Sequence, residues 1–176
     1  MRGSVTRKQF LFCCAVLSGL GSGCGGGSGV GTSLTNIGPS GGRIFSSDGK
    51  AILTVPAGAL NGNARASLAI GTLPQIASLP GAPQIVNQTI YTFTIAGALL
   101  TSPATLQIAY TGSYPAPAAG TSGYNLSMSQ FVNNGLQIVP NNVANRTAQT
   151  VSAPVTNGGT YVVTAQFVGP NGEIPL

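Results

Sequence analysis

The sequence contains no histidine, only two acidic residues (Asp48 and Glu173) and only three cysteines (Cys13, Cys14 and Cys24) in 176 residues. Without an imidazole there is no Ser-His-Asp or Cys-His arrangement and no imidazole general base. Asp48 falls in a tight-turn sequence and Glu173 near the carboxyl end, so a glycosidase-type carboxylate pair is not expected. Too few ligating groups remain for a transition-metal or calcium cage, and the expectation is no metal, no cofactor and no catalytic residue. Charged residues make up 5% of the chain, against roughly 25% in an ordinary soluble domain. Hydrophobic residues are nevertheless 43%, which argues against disorder and for a β-rich domain with Thr, Ser, Asn and Gln on its outer faces.

The formal charge of +5 is not a nucleic-acid footprint. Arg2, Arg7 and Lys8 sit at the amino terminus. From Cys24 onward only Arg43, Lys50, Arg65 and Arg146 face the two acids, scattered and without aromatic interleaving. These four read as solubilising residues that also blunt strand edges.

The amino terminus reads as an address. Residues 1–8 form a basic head and Phe10 to Leu20 an apolar run, too short for the roughly 20 residues of a spanning helix. The small residues Gly21-Ser22-Gly23 follow, as in a helical secretory signal peptide covering 1–23. Leu20-Gly21-Ser22-Gly23-Cys24 resembles a bacterial lipobox, in which the cysteine becomes the first mature residue and carries acyl chains such as palmitate. It departs from that pattern at Gly21, where leucine is usual. The alternative is an ordinary signal peptide with a leftover cysteine.

Residues 24–35 then form the lipidated Cys24 and a flexible Gly-rich tether reaching on the order of 15 Å. More than one acyl chain makes such an anchor stable, each buried methylene contributing about 0.8 kcal/mol. Cys13 and Cys14 leave with the leader, so no internal disulfide is possible. Gly25 in place of Asp lacks the inner-membrane retention signal of diderm lipoproteins, which implies the outer membrane, on its periplasmic or its surface face.

The remaining chain shows period-two alternation and turn signals. Strands are expected at the two arms of Gly38–Leu60 around Ser47-Asp48-Gly49, at 64–73, at Ile90–Ile95 with Tyr91, Phe93 and Ile95 inward, and at Ala104–Tyr110. Further strands are expected at Tyr124–Gln130, across the Asn133-Asn134-Gly135 hairpin, at Arg146–Pro154, and at Gly159–Val168 with Tyr161, Val163, Ala165 and Phe167 inward. Residues 75–84 and 111–123, rich in proline, read as loops. No long window after the signal peptide has helical periodicity. The expectation is an all-β, antiparallel, immunoglobulin-like sandwich of about eight or nine strands over 36–168, with a tail at 169–176.

Several of these stretches carry a resemblance. The Gly-Gly opening, the Asp-Gly turn, the Thr-centred strand and Pro56-Ala57-Gly58-Ala59-Leu60 resemble the start of the ZU-type β-sandwich of ankyrins, netrin receptors and tight-junction scaffolds. Ser102-Pro103-Ala104-Thr105-Leu106-Gln107-Ile108 and Gly159-Thr160-Tyr161-Val162-Val163 follow the same course. The resemblance implies a protein-interaction or scaffold module without catalysis. The missing histidine excludes the self-cleaving segment that some ZU-type proteins carry.

The partners implied are the membrane, through Cys24, and an envelope or extracellular protein, with no nucleic acid. Two alternatives stand beside it. One is a glycan-binding module or small adhesin subunit using Tyr114 and Tyr124 around the Pro-rich loop, although Tyr124 reads first as the start of a core strand and Tyr114 as a cover over the sandwich end. The other is a structural envelope component joined by edge-strand pairing. Asp48 likewise reads first as a turn residue and second as a lone calcium ligand.

Overall fold

The computed structural model describes residues 34–72 and 83–174. The expected signal peptide, Cys24 and the expected tether up to residue 33 lie outside the described residues, as do most of the expected loop at 75–84 and the last two residues of the tail. The described residues form two antiparallel sheets and contain no helix.

The six-stranded sheet runs in the order β1 (Thr35–Ile37), β4 (Ala64–Ile70), β5 (Gln84–Ala96), β11 (Gly159–Val168), β7 (Gly123–Val132) and β8 (Gly135–Ile138). The five-stranded sheet runs β2 (Gly42–Phe45), β3 (Ala51–Val55), β6 (Ala104–Ala109), β10 (Thr150–Val155) and β9 (Val143–Asn145). Among the described residues the strands number eleven, more than expected, because β1 and β9 are three-residue edges too short to show alternation.

Turn chemistry sets the registers. Gly41 has φ +72°, and a Cβ there would lie 2.3 Å from the Val55 carbonyl oxygen, so the chain can enter β2 only through glycine. Asn133 and Asn134 both take positive φ (49° and 62°), the geometry of a type I′ turn, and bring Val132 opposite Gly135.

The sheets bury one shared core. Leu53, Leu106, Ile108, Val151 and Val155 from the smaller sheet meet Tyr91, Phe93, Met128, Tyr161 and Val163 from the larger. Each such side chain contributes about 1.5–3 kcal/mol by leaving water.

Two expectations change at β5 and β11. β5 begins at Gln84, well before Ile90, and its ladder to β11 is interrupted between Val162 and Thr164. Thr89 bridges that bulge: its buried hydroxyl donates to the Val86 carbonyl (2.6 Å) and accepts from the Val163 N–H (3.3 Å). A side chain thus replaces a backbone rung, which breaks the alternation that marks a strand. On β11, Phe167 was expected inward but is 39% exposed, because it lies near the strand's end, beside the ring of Tyr124.

The outer face of the larger sheet is tied by hydroxyl pairs. Ser67 meets Thr94 (2.7 Å), Thr92 meets Thr160 (3.0 Å) and Ser129 meets Thr164 (3.1 Å), each across neighbouring strands. This is the cross-strand counterpart of a side-chain ladder, with polar groups satisfied without charge.

Candidate functional site

Asp48 lies at the tip of the β2–β3 hairpin, where Gly49 takes φ +69° and its N–H closes the turn on the Ser46 carbonyl (3.0 Å). Its carboxylate accepts from the Ser46 hydroxyl (2.6 Å) and the Lys50 N–H (3.1 Å) through one oxygen, and from the Tyr91 hydroxyl (2.7 Å) through the other. Tyr91 belongs to the opposite sheet and is fully buried, so this bond crosses the sandwich.

Partial burial pushes the carboxyl upward. The hydrogen bonds from Ser46, Tyr91 and Lys50 and the Lys50 charge outweigh it, and the net shift is downward. The Tyr91 phenol is pushed well up, by burial first and by Asp48 second. Tyr161, whose hydroxyl donates to the Asn157 carbonyl (2.8 Å), is raised to about 12 by burial. Among the described residues no three metal-ligating groups gather, and Asp48 occupies the turn role.

The aromatic end of the sandwich is a continuous relay. Tyr110, Tyr114, Tyr124 and Phe167 pack edge to face at centroid separations of 5.8, 5.4 and 5.5 Å. Tyr114 and Tyr124 are half-buried against the core. Their ring surfaces are engaged with one another, which favours the covering role over a sugar-stacking platform.

Arg146, expected to be solubilising, has a different job. Its guanidinium donates to the carbonyl of Tyr114 and to that of Tyr124 (2.7 Å). The Pro-rich loop is pinned further by Tyr124 N–H to the Pro115 carbonyl (2.8 Å) and Gln149 Nε2 to the Gly112 carbonyl (3.0 Å).

The second acid is also committed to a turn. Glu173 accepts the Asn171 N–H through its carboxylate (2.9 Å) and the Gly169 N–H through its carbonyl (2.8 Å). The two carboxylates therefore serve separate turns and do not form a pair. Lys50 is engaged beside Asp48, and the Arg43 guanidinium stands 5.6 Å from the centroid of the Phe45 ring. Cys24, the predicted lipidation site, lies outside the described residues.

No protein-family model matches the chain, and no curated protein matches it.

Proposed function

We propose that the protein is a non-catalytic interaction or scaffold module of the ZU type, exported and held to the bacterial outer membrane by a lipid on Cys24. The observation that carries the reading is how the ionic groups are spent. Asp48 braces the two sheets, Glu173 closes its tail turn, and Arg146 clamps a loop. Groups committed to bracing are poor candidates for proton transfer, while the faces they support carry mainly hydroxyl, amide and apolar side chains.

The edges favour contact through a face. The four edge strands β1, β2, β8 and β9 are three or four residues long, a length that blunts strand addition. The motifs supporting a ZU-type assignment are the opening hairpin and the Ser102–Ile108 and Gly159–Val163 runs. They fall on β2–β3, β6 and β11.

A photo-crosslinking residue at Thr94, on the outer face of the larger sheet, and another at Thr105, on that of the smaller, test the reading in intact cells. A discrete envelope-protein adduct from one face and not the other is expected. No adduct from either would overturn it.

A further inference from the structure

Beside the β1 edge lies an open cleft of about 820 Å³, lined by Asn36, Ser40, Asn63 and Arg65 together with Ile37 and Ala96. Its volume is in the range of small-ligand sites. Three strands build it. Asn36 on β1 sits directly opposite Arg65 on β4, and Arg65 in turn faces Ala96 on β5, so the three share the sheet's outer face.

Arg65 differs from the other cations. Arg43 is packed over Phe45, Lys50 is engaged, and Arg146 donates to two carbonyls. Among the described residues Arg65 is the one cation with no hydrogen bond, ion pair or ring contact, and it is exposed at the cleft wall. Neither Asp48 nor Glu173 lines the cleft.

A Cβ on Gly38 would stand 2.8 Å from Oδ1 of the exposed Asn63 side chain, so a larger residue there would move the Asn63 amide.

The geometry points to a binding site for an acidic sugar, with Arg65 taking the carboxylate of a uronate and Asn36, Asn63 and Ser40 taking its hydroxyls. A guanidinium presents paired N–H donors that match a carboxylate fork. Two amides and a hydroxyl supply both donors and acceptors around it, which suits a polyol better than an aliphatic acid. This goes beyond the scaffold reading by naming a small-ligand class, and rests on that reading only for the absence of turnover. It does not depend on Cys24 or on a protein partner.

The test titrates the purified full chain with glucuronate, glucose and N-acetylalanine by calorimetry. Saturable glucuronate binding is expected, tighter than that of either other probe and weakened by added salt. Arg65→Gln should reduce it roughly 10- to 100-fold, the loss of a charge-assisted pair, while Arg65→Lys retains part of it. Gly38→Ala, which displaces Asn63, should also weaken it.

An unchanged melting temperature in Arg65→Gln shows that the fold is intact. No saturable glucuronate binding, equal affinity for glucose, or unchanged affinity in Arg65→Gln would each overturn the site. Tighter binding of N-acetylalanine would overturn the sugar assignment in favour of a peptide carboxylate. The crosslinking result at Thr94 and Thr105 is unaffected by any of these outcomes, so the two readings fail separately.

Discussion

Asp48 joins three donors from two sheets, and removing its side chain takes one acceptor from two hydroxyls at once. Asp48→Ala leaves Tyr91 and Ser46 without that acceptor, and the Tyr91 ring is buried. The expected loss is about 1–3 kcal/mol in urea unfolding. The pH dependence follows from the lowered carboxyl. Its folded-state pKa lies below the ordinary value of 3.8, so its contribution is complete above 3.8 and is lost as pH falls through the folded value. Wild type should therefore lose stability relative to Asp48→Ala as the pH drops below about 4, near the unfolded carboxyl value. A gap between the two proteins that stays constant to lower pH would contradict this account. At the alkaline end the sign reverses. Tyr161 holds its proton to about 12, so stability should fall as pH rises from 10, the ordinary phenol value, through 12.

The loop element 111–122 is ordered by groups remote in sequence. Arg146 reaches carbonyls 32 and 22 residues earlier in the chain. Arg146→Met keeps a long apolar stem but removes both donors. It should cost about 1.5–3 kcal/mol, the value of hydrogen bonds to a charged group, and open the loop to limited proteolysis between Gly112 and Gly123. Cleavage no faster than wild type would mean that the aromatic relay alone holds the loop. A second element-scale prediction concerns the bulge. Thr89→Val is close in shape but lacks the hydroxyl that serves Val86 and Val163, and should destabilise by about 1–3 kcal/mol through the buried groups left unpaired.

These elements show what could be read from the sequence. Ile90–Ile95 and Ala104–Tyr110 alternate cleanly, and Tyr91, Phe93, Leu106, Ile108 and Tyr110 are all buried as expected. Asp48-Gly49 and Asn133-Asn134-Gly135 marked their hairpins because positive φ has few candidate residues. The start of β5 was hidden because a threonine hydroxyl stands in for a rung there, which a periodicity of two does not register. Arg146 and Arg65 look alike in sequence, each a single cation among small polar residues. Only the fold shows that one is consumed by backbone carbonyls and the other faces an open cleft.

At the scale of the whole molecule, the sandwich needs little charge because its polar satisfaction comes from hydroxyl pairs and backbone. Every buried side-chain nitrogen and oxygen among the described residues has a partner. Its edge strands are only three or four residues long. The central claim is that Cys24 supplies the attachment, and intact mass of the protein from the membrane fraction, wild type beside Cys24→Ala, tests it most directly. The account predicts a wild-type chain that begins at Cys24 with added acyl mass, and loss of that mass with release from the membrane in the variant. A wild-type product that is soluble and carries no acyl group would contradict it.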